Sequence, residues 1–233
     1  HMTLGNIAAA CGGTLHAGEG ITAEASCVVI DSRKIEAGGV FIATKGERAD
    51  GHDFISQVAE KGALGVVCER QPDNCDIPYI LVEDSFVALK KIAEYYRKQI
   101  SVKVVGITGS VGKTSTKEVI ASVLARKYAV LKTQGNFNNE VGLPLTVLSI
   151  REEHEVAVLE SNPKRMRFIY NALRLQRPEE VAEFNPDLVI NCVTLSYTIE
   201  AFQNVMPYLQ PTCIISDIAS VKTHLKEFYE TCG

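Results

Sequence analysis

A glycine-rich turn between a buried strand and a helix constrains this chain more than any other sequence feature. Residues Val102–Ile107 form an apolar, β-branched run around one lysine, which is typical of a strand buried in a parallel sheet. The turn that follows, Gly106–Ser115, has the sequence GITGSVGKTS, and a helix is predicted over Lys113–Lys127. Strand, glycine turn and helix in this order let backbone N–H groups face one anion at the positive end of the helix dipole. The turn is therefore predicted to bind a phosphate group.

Two side chains of this turn suit a nucleoside triphosphate. Lys113 is expected to reach the β- and γ-phosphates, and Thr114 to offer its hydroxyl to Mg²⁺. The spacing departs from the strict phosphate-loop pattern GxxxxGK[ST], because Ile107 stands where that pattern has glycine. The alternative interpretation is a glycine-rich strand-to-helix turn with a solvated lysine.

Strands and helices alternate along the whole chain. The elements of residues 1–98 are short and predict a small N-terminal α/β domain. Residues 99–233 predict a second domain with a parallel sheet, right-handed crossovers and helices on both faces. The expected fold class is thus α/β, with a small N-terminal α/β domain followed by a three-layer, doubly wound parallel sheet. After the strand Glu155–Glu160, helices are predicted over Pro163–Leu173, Glu179–Phe184, Tyr197–Leu209 and Val221–Tyr229.

The composition excludes several classes of protein. Of the 233 residues, 46% are hydrophobic and 22% charged, which is too apolar for a disordered chain, and no apolar run is long enough for a membrane span. A formal net charge of −4 with no strongly basic segment argues against a nucleic-acid partner. The 7 cysteines include no CxxC pair, so free thiols in a reducing cytoplasm are expected. His1 and Met2 are interpreted as a cloning remnant, and the oligomeric state is left open.

The shorter pattern GxxGKT[ST], from Gly109 to Ser115, resembles the ATP-binding loop of the Mur ligases. Within that family it is most similar to the MurF type, which joins D-alanyl-D-alanine to UDP-N-acetylmuramoyl-tripeptide. The segment Thr133–Thr146, TQGNFNNEVGLPLT, resembles the Asn-rich loop and following helix of the same type. Three upstream segments match its UDP-substrate domain: Asp31–Arg33, Phe41–Gly46 and Asp50–Phe54. The resemblance covers about residues 3–160 and keeps the motifs in order.

This resemblance implies an ATP-dependent amide ligase of peptidoglycan-precursor synthesis with ATP and Mg²⁺ as cofactors. In the family, ATP phosphorylates the carboxylate of the UDP-linked substrate, and the incoming amine attacks the acyl phosphate. Lys113 and Glu160 are the implied catalytic residues, and Thr114 and Glu160 the implied metal ligands. The implied nucleotide-binding residues are Gly109, Ser110, Val111, Gly112, Lys113, Thr114, Ser115, Asn138 and Asn139. The implied substrate-binding residues are Ser32, Arg33, Gly46, Asp50 and His52.

The N-terminal residues of this set also suit phosphate binding on chemical grounds. Ser32 offers a hydroxyl and Arg33 a bidentate donor after a strand, while Asp50 and Gly51 favour a turn. The alternative for Ser32 and Arg33 is a solvated loop end, and the alternative for His52 is a histidine that caps a loop.

The resemblance to Mur ligases changes after Glu160. Ser161–Pro163 follows the strand where that family has Met-Gly. From about residue 155 onward the chain resembles the Rossmann domain of prephenate dehydrogenases, in the segments Glu160–Met166, Asp187–Ser196 and Ser216–Lys222. We therefore predict a hybrid, chimeric chain that is Mur-ligase-like over residues 99–160 and prephenate-dehydrogenase-like over residues 161–233.

The activity expected of such a hybrid is incomplete. The later metal-binding histidine, the carbamylated lysine and the C-terminal domain of Mur ligases are not found, nor is the catalytic histidine of the dehydrogenases. Nucleotide binding without full ligation is therefore the first hypothesis. An NAD-dependent prephenate-type dehydrogenase is disfavoured because no GxGxxG occurs, and a non-catalytic engineered α/β chimera is the third hypothesis. Asp217 is expected to cap the last helix or, alternatively, to approach Mg²⁺.

Overall fold

The computed structural model describes residues 1–18, 22–46, 49–73, 76–107, 112–135, 139–160, 179, 182, 188–191, 195–217 and 223–231. These residues form a mixed α/β fold with parallel strands, divided into two compact units. The first unit comprises residues 1–101 and 139–152, and the second comprises residues 102–138 and 153–233. None of the described helices combines the length and the apolar character that crossing a membrane requires.

The helices and strands follow one another along the chain. They are α1 (Leu4–Cys11), β1 (Thr14–His16), β2 (Val28–Val29), β3 (Val40–Ile42), α2 (Ile55–Glu60), β4 (Gly65–Cys68), β5 (Tyr79–Leu81), α3 (Ser85–Gln99), β6 (Lys103–Ile107), α4 (Lys113–Leu124), β7 (Val130–Lys132), α5 (Gly142–Leu148), β8 (Val156–Glu160), β9 (Leu188–Asn191), α6 (Thr198–Val205), β10 (Ile214–Asp217) and α7 (Thr223–Thr231). Short 3₁₀ turns precede α2, at Gly51–Phe54, and flank α6, at Leu195–Tyr197 and Met206–Tyr208.

The first unit is built on a five-stranded sheet with the order β1-β5-β4-β3-β2. Strands β2 to β5 pair in parallel, and β1 runs antiparallel to β5. Phe41 of β3 and Val66 of β4 pack with Ile55 and Val58 of α2 in one apolar cluster. Because all residues of β3 and β4 are buried, these strands are apolar throughout rather than alternating.

The second unit contains the parallel sheets β6-β8-β7 and β10-β9. The strand β8 lies between β6 and β7, and all five of its residues are buried. Val156 and Val158 of β8 pack against Ile107 of β6 and Ala121 of α4, and Ile190 of β9 adds to this cluster. This core fixes the end of β8 beside the end of β6.

Helix α5 packs within the first unit, although the sequence-based division places residues 139–152 in the second domain. It contacts α3, and its apolar residues Leu143, Val147 and Leu148 are buried. The Tyr96 hydroxyl of α3 donates a hydrogen bond to the Ile150 carbonyl oxygen at 2.5 Å. Burial of this apolar helix face against α3 accounts for the difference.

Most expected elements are present, and the mixed α/β class with parallel sheets is confirmed. The expectation of one helix over Tyr197–Leu209 is wrong, because α6 ends at Val205 and a 3₁₀ turn containing Pro207 follows. Proline lacks the N–H that an α-helix needs and clashes with the preceding turn. The expected helix Pro163–Leu173 lies outside the described residues, as do all but Glu179 and Ala182 of Glu179–Phe184. The Rossmann-like back and the three-layer arrangement stay predictions.

The described cysteines are free thiols, namely Cys11, Cys27, Cys68 and Cys213. Burial raises the pKa of the Cys68 thiol to about 11, and it raises the pKa of the Cys11 thiol as well. Both side chains therefore stay protonated at neutral pH and serve as packing groups rather than nucleophiles.

Candidate functional site

The turn that the sequence predicts to bind phosphate lies between β6 and α4. Strand β6 ends at Ile107, and α4 begins at Lys113, directly after Gly112 with a φ of 78°. Glycine adopts this left-handed conformation without the steric cost that a Cβ atom would add. Gly112 has no side chain to cap the helix, so the first N–H groups of α4 present the positive dipole end to solvent or a ligand. The predicted loop residues Gly109, Ser110 and Val111 lie outside the described residues.

The first turn of α4 carries the remaining predicted nucleotide-binding side chains of the loop. Lys113 is half-buried, whereas Thr114 and Ser115 are exposed. The Thr116 hydroxyl donates a hydrogen bond to the Gly112 carbonyl oxygen at 2.8 Å, which ties the turn to the helix. The hydroxyl groups needed for a phosphate or metal ligand are thus accessible at this end of α4.

Glu160 lies beside this turn because β6 and β8 are parallel neighbours. Their register pairs Ile107 with Glu160, so both strands end at the same edge of the sheet. The Thr114 hydroxyl donates a hydrogen bond to Glu160 Oε1 at 3.0 Å. The Glu160 residue is only 1% exposed, and its backbone N–H donates to Thr133 Oγ1 at 3.0 Å. The structure therefore brings together the two residues predicted as Mg²⁺ ligands.

A second lysine of α4, which sequence reasoning did not select, contacts the same carboxylate. Lys117 is 1% exposed, and its Nζ lies 3.4 Å from Glu160 Oε2 and 3.4 Å from Glu118 Oε1. A hydrogen bond from Lys132 of β7 lowers the pKa of the Glu118 carboxyl. The available signal was spacing, since Lys113 and Lys117 are four residues apart and share one face of the helix.

The oxygen pair formed by Thr114 and Glu160 fits a magnesium ion by its donor chemistry. Mg²⁺ prefers hard oxygen ligands and is bound by one or two carboxylates, with water and substrate phosphates completing its shell. Among the residues that the structure describes, no group of three or more His, Cys, Asp or Glu side chains could hold a metal by itself. A magnesium ion at this edge would therefore arrive together with phosphate oxygens.

In the first unit, the predicted substrate residue Arg33 is held by its neighbour Asp31. The guanidinium donates hydrogen bonds to Asp31 at 2.9 Å from Nε and 2.8 Å from Nη2. This pairing lowers the pKa of the Asp31 carboxyl to about 2. Ser32 is buried, and its carbonyl oxygen accepts a hydrogen bond from Lys61 Nζ at 2.8 Å. The segment is therefore a loop end whose backbone is anchored by Lys61, while the Arg33 side chain remains exposed to solvent.

Asp50 and His52 form a hydrogen-bonded cluster with two residues that follow β4. The His52 Nε2 accepts the backbone N–H of Glu69 at 2.9 Å, which assigns the ring proton to Nδ1. This Nδ1 lies 2.6 Å from Asp50 Oδ1 and donates to it. Arg70 Nη1 donates to Asp50 Oδ2 at 3.0 Å, a partner that sequence reasoning missed. Through these hydrogen bonds the cluster connects the 3₁₀ turn before α2 to the end of β4.

The Asp50 carboxylate should make folding stability depend on acid pH. Hydrogen bonds from the His52 backbone N–H and ring lower its pKa in the folded chain below the unfolded value of about 3.9. Its contribution is therefore complete above that unfolded value and is lost as the pH falls through the folded pKa. We expect Asp50→Asn to lower the free energy of unfolding at pH 7 and to flatten its decline below about pH 4. Urea denaturation at pH 7, 5 and 3 measures this.

The matched control for this prediction is Asp76→Asn, which removes an exposed carboxylate of the same unit. That variant should keep the wild-type pH profile. An Asp50→Asn variant that declines as steeply in acid as the wild type would contradict the prediction.

Two other predicted site residues hold local turns. The Gly46 N–H donates to the Ala49 carbonyl oxygen at 3.0 Å. Asn139 Oδ1 accepts the backbone N–H of Gly142 at 2.7 Å, at the start of α5. Asn139 thus belongs to the first compact unit, whereas the phosphate turn belongs to the second. Asn138 lies outside the described residues.

Asp217, at the end of β10, accepts a hydrogen bond from the Tyr229 hydroxyl of α7. This contact lies within the second unit and ties the last described strand to the last helix. It gives the carboxylate a structural partner on α7.

Two protein-family models match consecutive parts of this sequence. The model of the Mur ligase family catalytic domain matches residues 24–108, and that of the Mur ligase middle domain matches residues 107–175. Over residues 24–175 the chain is Mur ligase-like. The second match contains the β6–α4 turn together with Lys117 and Glu160, and it continues to residue 175, past the hybrid junction predicted after Glu160.

Curated relatives support the MurF type in particular. The Mur ligase-like chain is 44% identical over 156 residues to the UDP-N-acetylmuramoyl-tripeptide–D-alanyl-D-alanine ligase of Bacillus subtilis, covering 65% of this chain and 34% of that enzyme. It is 38% identical over 178 residues to the ligase of the same name from Escherichia coli, covering 76% of this chain and 38% of that enzyme. The chain therefore spans about a third of the length of these relatives.

Solved structures give the same result. MurF from Acinetobacter baumannii superposes with a TM-score of 0.71 at 27% identity, covering 94% of this chain and 53% of that one. MurF from Thermotoga maritima in complex with ADP superposes with a TM-score of 0.56 at 32% identity, covering 88% and 48%. A match over 94% of the chain extends beyond residue 175, so the back of the chain is also compatible with a MurF fold. Its resemblance to prephenate dehydrogenases stays a prediction.

Proposed function

We propose that this Mur ligase-like chain is an ATP- and Mg²⁺-binding fragment of a MurF-type amide ligase of peptidoglycan-precursor synthesis. The observation that carries the proposal is the hydrogen bond between the Thr114 hydroxyl and the buried Glu160 carboxylate, at 3.0 Å, beside the first turn of α4. It places two hard oxygen donors next to a lysine-bearing turn, a combination suited to a nucleotide with its magnesium ion. The ADP complex of the Thermotoga maritima neighbour supports a nucleotide as the ligand.

In this proposal each side chain of the turn has one task. Lys113 contacts the β- and γ-phosphates and stabilises negative charge on the phosphoryl group as it is transferred. The backbone N–H groups of the loop from Gly109 to Gly112, and the exposed Ser115, bind the remaining phosphate oxygens. Thr114 and Glu160 hold Mg²⁺, which when bound neutralises charge on the phosphates. Asn138 and Asn139 stay predicted nucleotide-binding residues on the resemblance to the MurF type alone.

We propose residues 1–98 as the domain that holds the UDP-linked substrate. Arg33 supports this assignment because its side chain is 86% exposed and Asp31 uses only part of the guanidinium's hydrogen-bond donors. The remaining donors can bind a diphosphate in the bidentate manner typical of arginine. Ser32, Gly46, Asp50 and His52 shape this surface, with Asp50 and His52 acting through the cluster they form with Arg70. A cytoplasmic location belongs to the same proposal, since the implied substrates are nucleotides.

Equilibrium dialysis with ATP tests the nucleotide site directly. We expect saturable binding of one ATP per chain that is tighter with Mg²⁺ than with EDTA. Chains that retain no ATP under either condition would contradict the proposal and favour a non-catalytic α/β chimera.

We further propose that residues 1–233 alone do not complete ligation, because they span about a third of the relatives' length. The chain should form no amide product from ATP, UDP-N-acetylmuramoyl-tripeptide and D-alanyl-D-alanine, as judged by chromatography. Detection of that product would overturn this part of the proposal and leave the nucleotide site intact.

The hybrid origin of residues 161–233 is a separate proposal, with an NAD-dependent prephenate-type dehydrogenase as the alternative function. The sequence lacks the GxGxxG fingerprint with which Rossmann domains bind a dinucleotide. We therefore expect no enhancement of NADH fluorescence on mixing with the chain. An enhancement that saturates would favour the dehydrogenase.

A further inference from the structure

Lys117 is a fully buried cation that the proposed nucleotide chemistry does not use. Its side chain is 1% exposed, and it lies on the same face of α4 as Lys113, one turn further along the helix. Lysine is rarely buried to this degree unless it is paired with acidic groups. Acidic partners for its charge are therefore expected.

The charge of Lys117 acts on two carboxylates at equal distance. Its Nζ lies 3.4 Å from Glu160 Oε2 and 3.4 Å from Glu118 Oε1. The two carboxylates differ in their surroundings, because the Glu160 side chain is 2% exposed and the Glu118 side chain 48% exposed. Since a buried pair is screened by water much less than an exposed one, the attraction to Glu160 is the stronger of the two.

Glu160 is thereby held on both oxygens and on its backbone. Oε1 accepts the Thr114 hydroxyl, Oε2 faces Lys117, and the backbone N–H bonds to Thr133. The two carboxylate oxygens thus have different neighbours, a hydroxyl on one side and an ammonium on the other. A divalent cation is repelled by the ammonium, so the Oε1 side next to Thr114 is the one that remains suited to it.

We propose that Lys117 is a positioning residue that orients Glu160 for the magnesium ion accompanying the nucleotide. Lys117 holds Oε2, which leaves Oε1 and the Thr114 hydroxyl as the metal-facing pair. This inference rests on the proposed nucleotide function and adds a residue that acts through Glu160 without touching the nucleotide. Groups that orient a metal ligand in this way typically contribute 10- to 100-fold to metal affinity.

The test measures ADP affinity by calorimetry in Mg²⁺ and in EDTA, and takes the ratio of the two dissociation constants. In Lys117→Met, which removes the charge at similar volume, we expect this magnesium-dependent ratio to fall by about 10-fold or more. The affinity in EDTA should stay at the wild-type value, because the loop and Lys113 are untouched. An unchanged ratio in a folded Lys117→Met protein would overturn the inference.

Two further variants separate positioning from a merely structural role. Glu118→Gln removes the other carboxylate partner and should leave the ratio unchanged. In a Glu160→Gln background, adding Lys117→Met should change the ratio no further, because the group that Lys117 orients has lost its charge. Additive effects of the two substitutions would contradict the inference.

Lys117→Arg keeps the charge and serves where Lys117→Met does not fold. Its guanidinium can also donate to a carboxylate oxygen, so the ratio should stay well above that of Glu160→Gln while the affinity in EDTA is retained. A Lys117→Arg ratio as low as that of Glu160→Gln would also overturn the inference. Absence of any ADP binding by the wild-type chain has a different meaning, since it refutes the proposed function itself and the inference with it.

Discussion

Replacing Lys113 by alanine is expected to weaken ATP–Mg²⁺ binding by about 10- to 150-fold. The change removes a charge-assisted contact to the β- and γ-phosphates, and hydrogen bonds to charged groups contribute about 1.5–3 kcal/mol. Lys113 is the first residue of α4 and is half-buried, and the first turn of that helix contains no other lysine that could replace it. Equilibrium dialysis of the variant and the wild type at equal Mg²⁺ concentration measures the effect.

The control for this variant is Lys127→Ala, which removes an exposed lysine that follows the other end of α4. It changes the net charge equally, so any loss of affinity caused by long-range electrostatics would occur in both variants. We expect wild-type affinity for Lys127→Ala. Equal weakening in both variants would show that the lysine at the turn makes no specific phosphate contact.

Loss of Lys117 is expected to cost the second unit much of its stability. Removing one partner of a buried ion pair leaves the other charge buried, which typically destabilises a protein by about 3–5 kcal/mol. The Glu160 side chain is 2% exposed and forms such an ion pair with Lys117. Removal of the lysine would leave the Glu160 charge buried without that pairing. We therefore expect Lys117→Met to lower the free energy of unfolding by about this amount in urea denaturation.

A charge-balanced variant identifies the source of that loss. The double variant Lys117→Met with Glu160→Gln removes both charges at nearly constant volume and should recover most of the lost stability. Glu118→Gln, at a half-exposed position, should leave the stability nearly unchanged. A double variant that is as unstable as Lys117→Met would show that packing of the lysine stem, rather than its charge, carries the stability.

The sequence predicted the elements whose signals are local. The β-branched run predicts β6, and the glycines that follow it predict the turn and the start of α4. The structure has β6 at Lys103–Ile107 and α4 from Lys113. Glu160 was predicted only through the resemblance to Mur ligases, because no local pattern shows that β6 and β8 are neighbours. The structure supplies the physical reason for its approach to Thr114, since the parallel register pairs Ile107 with Glu160 and both strands end at the same edge of the sheet.

The features that were missed depend on contacts between distant segments. β1 has only three residues, Thr14–His16, and owes its place to pairing with Tyr79–Leu81 of β5. The burial of Lys117 depends on Glu160, which is far away in sequence, and no periodicity shows that a lysine has a buried partner. Arg70 was missed for the same reason, because its contact with Asp50 joins segments on either side of α2 and β4.

Residues 139–152 pack in the first unit although the chain enters the second unit before them, and this order affects folding during synthesis. On the ribosome, residues 1–101 emerge without α5, so α3 lacks the helix that packs against it in the finished protein. The first unit can reach its final packing only after residue 152 has been synthesised, when the phosphate turn already exists as a nascent chain. Domains generally fold as units during synthesis, but here the unit that begins first cannot be completed before the next one has been started.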